Sequence, residues 1–161
     1  MSKILVVYYS RTGRTRQIAE AIAAQLNADI EPIQDGGQRL GIRGYLRSLL
    51  EAMQNRGVRI LAPTKDPSQY DLTILGTPVW AHNMCPPLRA YITSQQQRFR
   101  KIAVFCTQGR SGGSKVAGQI AESCGRSPAA TLVLNEDEIE KNQFATKLDG
   151  FIQSLSQAKA A

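Results

Sequence analysis

Apolar residues fall into two rhythms along this chain, and the two alternate from one end to the other. Ile4-Leu5-Val6-Val7-Tyr8-Tyr9 is an unbroken β-branched and aromatic run, the mark of a strand covered on both faces. Leu72-Thr73-Ile74-Leu75 (closed by Gly76), Ile102-Ala103-Val104-Phe105-Cys106 and Thr131-Leu132-Val133-Leu134 repeat it. Ile30 to Ile33 is weaker and contains Pro32, which cannot donate to a ladder, so it predicts an edge strand. Between the runs the spacing turns helical. Ile18, Ile22 and Leu26 recur with Ala19 and Ala23 beside them, and Val116, Ala117, Ile120, Ala121 and Cys124 do the same ahead of a C′ glycine, Gly125. Leu88, Tyr91 and Ile92 mark a helix begun by Pro86-Pro87. Leu46, Leu49, Leu50 and Met53 mark another. Phe144, Leu148, Phe151, Ile152 and Leu155 mark a last one, with Glu136-Asp137-Glu138 at its start, where the helix dipole favours acids. Five strands alternating with helices predict a doubly wound, three-layer α/β fold around a parallel sheet. The 161 residues are the length of one domain, 1–161.

Composition narrows the function classes. Apolar residues are 42% and charged residues 20%, ordinary for a globular protein. The run from Ile4 to Tyr9 is too short to span a bilayer and lacks a cleavage site after it, so a cytoplasmic protein without membrane or nucleic-acid partners is expected. Three scattered cysteines (Cys85, Cys106, Cys124) and a single histidine, His82, predict neither a disulfide framework nor a metal site. The net charge of +7 is uneven. Basic residues outnumber acidic ones seventeen to eight through Arg126, and acidic outnumber basic five to three after it. Arg39, Arg43, Arg47, Arg56 and Arg59 stand against Glu51 in the least regular stretch. They read as a solvated face or as a dock for an acidic protein or an anionic substrate.

Ligands of such sheets bind beyond the carboxyl ends of the strands, which directs attention to three loops. Ser10-Arg11-Thr12-Gly13-Arg14-Thr15 joins the first strand to a helix. Free N–H groups, the positive end of the dipole, three hydroxyls and the arginines (Arg16 included) suit a phosphate, where capping alone would need one hydroxyl. No Walker A loop and no G-x-G-x-x-G fingerprint is present, and no acidic residues end the first strand as in a receiver domain. Cys106 lacks the arginine six positions on that a cysteine phosphatase needs. The second loop, Gly76 to Pro87, carries the only tryptophan, Trp80, either packed on the sheet edge or serving as a platform for an aromatic ligand. The third, Thr107-Gln108-Gly109-Arg110-Ser111-Gly112-Gly113-Ser114, allows close backbone approach to a flat ligand. Side by side, the three suit a phosphorylated aromatic mononucleotide.

On SRTGRT, GTPVWAHN and CTQGRSGG the chain resembles the flavodoxin family, over essentially its whole length. The resemblance implies strand order 2-1-3-4-5 and bound FMN. It implies that Ser10, Arg11, Thr12, Gly13, Arg14 and Thr15 hold the phosphate. It implies that Thr77, Pro78, Val79, Trp80, Ala81, His82 and Asn83, with Thr107, Gln108, Gly109, Gly112 and Gly113, wrap the ring system. Electrons then pass to a redox partner protein, for which an acidic one suits the basic chain. Alternatively, NAD(P)H reduces the flavin, which reduces a quinone or similar small acceptor.

The chain departs from that family in three ways. It is basic where electron-carrying members are acidic. Its third loop has no aromatic residue, which leaves one flavin face open and favours the enzyme reading. Trp80-Ala81-His82-Asn83 stands where relatives often carry a glycine third, and His82 is expected to resist a positive φ there, disfavouring long-lived one-electron chemistry. His82 as a solvated loop residue and Cys85 as a spectator are the plainer expectations.

Overall fold

The computed structural model describes residues 2–35 and 58–160. The helix expected around Leu46–Met53 and the arginines at 39, 43, 47 and 56 lie outside the described residues.

Strand β1 (Ile4–Tyr8) leads into helix α1 (Arg14–Leu26) and strand β2 (Asp29–Pro32). Strand β3 (Leu72–Trp80) turns into a short strand β4 (Asn83–Met84), followed by helix α2 (Pro86–Gln95). Strand β5 (Lys101–Gln108), helix α3 (Gly113–Cys124), strand β6 (Thr131–Asn135), helix α4 (Glu136–Glu140) and helix α5 (Ala145–Ala160) complete the described chain. The sheet runs β2-β1-β3-β5-β6, every one of these pairs parallel, with β4 antiparallel on β3. With β4 set aside, this is the implied order 2-1-3-4-5.

Alternation along the central strands separates two cores. Leu5 and Val7 of β1 and Ile102, Val104 and Cys106 of β5 face one side, covered by Leu88, Tyr91 and Ile92 of α2 and Val116, Ala117 and Ile120 of α3. Ile4, Val6 and Tyr8 with Ala103 and Phe105 face the other, covered by Ile18 and Ile22 of α1 and Leu148, Phe151 and Leu155 of α5. Strands buried on both faces need no polar alternation, which is why their sequences are unbroken apolar runs. Pro32 sits on β2, an edge strand with β1 as its neighbour, where a missing donor costs nothing.

Two expectations are corrected. Gly76 does not end β3, which continues to Trp80. The glycine makes room: a Cβ there would lie 2.0 Å from the Phe105 ring on β5. So the stretch after Gly76 is strand and hairpin, and Trp80 is a strand's last residue. The helix expected from Glu136 onward is two helices. Asn142 takes φ 53, and the bonds Gln143 N–H to Glu138 O (2.8 Å) and Asn142 N–H to Ile139 O (3.1 Å) close α4 in a Schellman motif before α5 begins.

Candidate functional site

The three loops meet at the carboxyl ends of β1, β3 and β5. In the first, Gly13 takes φ 97 and its N–H donates to Ser10 Oγ at 3.1 Å. Among the described residues no side chain caps the first turn of α1, so the turn faces the loop with its amide donors uncapped. Thr12 and Gly13 are exposed, and Ser10, Arg11 and Arg14 are half-buried. Thr15 points inward: it is 2% exposed, and its hydroxyl shares a 2.8 Å hydrogen bond with that of buried Thr107 at the end of β5.

The second element is a β-hairpin. Val79 pairs with Met84 and Trp80 with Asn83, leaving Ala81 and His82 as a two-residue turn. Their φ values, 49 and 59, are the pair of left-handed conformations of a type I′ turn. His82 was expected to resist this conformation, and here it adopts it, although a left-handed non-glycine residue costs roughly 1–2 kcal/mol. The ground for disfavouring one-electron chemistry goes with that expectation. Thr77, at the base of the hairpin, is fully buried. Its hydroxyl accepts from Cys85 N–H at 3.1 Å and lies 3.2 Å from Cys85 Sγ, so it braces the start of α2 beneath the site.

Trp80 is half-buried, packed on the core side of α2 and α3. Tyr9 meets it edge to face, centroids 5.7 Å apart at 88°, and the Arg11 guanidinium lies 5.8 Å from its ring centre. Tyr9 is fixed in turn by a 3.0 Å hydrogen bond from its hydroxyl to Asp35.

Gln108 organises the third loop. Its side-chain amide donates to Asn135 Oδ1 (2.8 Å) and to the Arg110 carbonyl (3.2 Å), and its Oε1 accepts from Gly113 N–H (2.8 Å) at the first turn of α3. Gly112, at φ 103, presses against the hairpin: a Cβ there would stand 2.9 Å from Val79 Cγ1 and 3.0 Å from His82 Nδ1. Gly109 and Arg110 are exposed at the tip, and Gly113 is buried.

Charge is distributed differently from what the sequence suggests. The Arg14 guanidinium is held by Glu140 and lies 3.6 Å from Glu136. That hydrogen bond to Glu140 raises its already high pKa. Arg16 pairs with Glu20 at 2.8 Å, one turn along α1. Arg14 and Arg16 are therefore paired with carboxylates of the protein's own, and the loop offers an anion its backbone N–H groups and the hydroxyls of Ser10 and Thr12. Burial pushes the Cys106 thiol up to about 12, so it is no thiolate nucleophile at neutral pH.

Several contributors carry no local signal in the sequence. Tyr9 reads as the end of a strand run, and nothing marks it as a partner of Trp80. Gln119 of α3 accepts from Met84 N–H (3.1 Å) and donates to Asn83 Oδ1 (2.7 Å), spanning 35 and 36 residues of sequence. Among the described residues no group of three His, Cys, Asp or Glu is placed to hold a metal ion, and no helix is long and apolar enough to cross a membrane.

The family described as Flavodoxin matches the chain over residues 3–149. A flavoprotein from Lactobacillus acidophilus, solved in complex with FMN, is 20% identical, with a TM-score of 0.72 over 88% of this chain and 98% of its own. A protein from Bacteroides eggerthii is 22% identical, with a TM-score of 0.73 over 91% and 98%. Oxidised flavodoxin 2 from Bacillus cereus is 16% identical, with a TM-score of 0.57 over 97% and 99%. At these identities the solved structures speak for the fold.

Proposed function

The chain belongs to the flavodoxin family, and from that premise we propose that it binds FMN at the three converging loops and carries electrons through it to a partner protein. The observation that carries the reading is the uncapped first turn of α1 beside the Trp80 hairpin. A helix N-terminus that satisfied its own donors would offer an anion little, whereas this one leaves them available to a phosphate. Ser10 and Thr12 add hydroxyl donors, and Arg11 bridges from the phosphate side to the Trp80 ring. Trp80, held edge-on by Tyr9, offers a fixed face to a ring system. The backbone of Gly112 closes in from the third loop, where any side chain would collide with Val79 and His82. FMN supplies reversible electron uptake when bound; the protein's part is to hold and orient it.

A second reading is an FMN-dependent oxidoreductase that takes hydride from NAD(P)H and reduces a small acceptor. It is favoured by one observation: Gly109 and Arg110 leave the tip of the third loop open and free of aromatic side chains.

The first test is a titration of flavin-free protein with FMN, followed by visible absorption and Trp80 emission. Trp80 emission is quenched on binding, and Trp80→Ala weakens FMN by up to roughly tenfold, since ring stacking contributes about 0.5–1.5 kcal/mol beyond area burial. A protein that takes up no FMN in excess ligand overturns the reading. Anaerobic NADPH then separates the two roles, because rapid bleaching of the bound flavin belongs to the oxidoreductase and persistence of its colour to the carrier.

A further inference from the structure

The hairpin that carries Trp80 has an unfavourable turn. Ala81 and His82 both sit at positive φ with a Cβ, where type I′ turns ordinarily take Asn-Gly. Something outside the turn holds it, and the hydrogen bonds identify what. Gln119 Oε1, on α3, accepts from Met84 N–H at 3.1 Å. Its Nε2 donates to Asn83 Oδ1 at 2.7 Å, and Asn83 Nδ2 donates to the Ala81 carbonyl at 2.8 Å. A two-link relay thus runs from a packed helix to one turn carbonyl, with the bond from Met84 N–H as its brace. The neighbouring turn of α3 contributes Val116 and Ile120 to the core, so the anchor is rigid.

We propose that Gln119 is the positioning residue of this site: through Asn83 it fixes the Ala81 carbonyl and the orientation of the Trp80 hairpin, and so sets flavin affinity and potential. Its consequence for flavin rests on the FMN reading above, whereas the clamp itself is a property of the flavin-free protein. The relay has a direction. A side-chain amide can accept from Met84 and donate to Asn83 at once, and a carboxylate can only accept. Gln119→Glu therefore keeps the shape and the bond from Met84 N–H, but it turns the Asn83 amide over, because that side chain must now donate to the carboxylate. The Ala81 carbonyl then loses its partner.

The experiment compares Gln119→Glu and Gln119→Ala with the unmodified protein. Hydrogen exchange of the flavin-free proteins reads the clamp: Asn83 and Met84 amides exchange at least about tenfold faster in Gln119→Ala. Titrations with FMN and riboflavin read the positioning. Both variants bind both flavins several-fold more weakly by the same factor, because the hairpin meets the ring and not the phosphate, and the midpoint potential of the bound flavin shifts. In Gln119→Glu, which keeps the bond from Met84 N–H, both affinities and the potential still move, and urea unfolding of the two variants shows the shifts to be out of proportion to the stability lost, which a merely structural role does not produce. Unaltered exchange in Gln119→Ala overturns the clamp. Faster exchange with affinity and potential unmoved overturns the positioning role while the FMN reading stands. Failure of the unmodified protein to bind FMN, with the exchange result intact, overturns that reading and with it the flavin role of Gln119.

Discussion

Three threonines that look alike in sequence have different tasks. Thr12 is exposed at the loop mouth, whereas Thr15 and Thr107 spend their hydroxyls on each other inside the protein. Thr12→Ala removes one donor to a charged ligand, worth roughly 1.5–3 kcal/mol. It should weaken FMN by ten-fold or more and leave riboflavin unchanged. Thr15→Ala leaves the Thr107 hydroxyl buried without its partner, which costs about 1–3 kcal/mol of stability, while Thr15→Ser keeps the bond. Urea unfolding of the flavin-free proteins checks this, and an unfolding midpoint indifferent to Thr15→Ala would return that hydroxyl to the ligand. Arg14 and Arg16 carry the same lesson. The pairing of Arg16 with Glu20 is visible as an i,i+4 spacing, but that of Arg14 with Glu140 spans 126 residues and exists only in the fold.

At the scale of elements, what the sequence made legible was whatever is decided locally. The unbroken runs of β1, β5 and β6, the edge character of β2 and the helices after Pro86 and before Gly125 are set by burial, proline chemistry and the helical period. What stayed hidden was decided at a distance. Gly76 reads as a stop because the ring it accommodates belongs to β5, and Ala81-His82 does not read as a turn because its support comes from α3. The break between α4 and α5 has neither glycine nor proline to announce it. The start of α4 is built by Asn135 and Glu138, whose carboxylate accepts from Asn135 N–H at 2.8 Å and meets Lys147 at 2.6 Å. Lys147 first, and that N–H second, hold the Glu138 carboxyl below the usual range for glutamate. A depressed folded-state pKa means the contribution to stability is complete above the unfolded value, about 4.3, and is lost as pH falls through the folded one. Glu138→Gln should therefore flatten the decline of the unfolding midpoint below about pH 4. A parallel decline in both proteins would show that this carboxylate is not the group responsible.

At the scale of the molecule, one cluster of charge among the described residues lies away from the site. Arg98, Arg100, Lys101, Arg126 and Lys159 cluster around the amino ends of the strands, and Arg100 shares Asp71 with the backbone N–H of Lys3. The loops lie at the opposite end, where Glu136 and Glu140 offset Arg14. A partner drawn to the amino-end cluster would dock far from the flavin. The salt dependence of electron exchange should then depend on Arg110, exposed at the tip of the third loop, rather than on Lys101 and Lys159. Oxidation of the photoreduced protein by ferricyanide, a trianion, should slow with added salt, since exposed charges are screened beyond about 10 Å at 0.1 M. Arg110→Gln should flatten that slope, and Lys101→Gln with Lys159→Gln should not; the reverse pattern would place the docking face at the amino ends. The hydroxyl pair of Thr15 and Thr107 has a consequence of another kind. It ties the first turn of α1, proposed above for the phosphate, to the carboxyl end of β5, proposed for the ring, so the two halves of FMN, offered as separate fragments, should bind as linked ligands. Inorganic phosphate should then tighten riboflavin, and riboflavin should tighten phosphate by the same factor, because a coupling free energy is reciprocal. With Thr15→Val and Thr107→Val together the pair becomes apolar and the fragments should bind independently, leaving FMN only the advantage of its covalent bond.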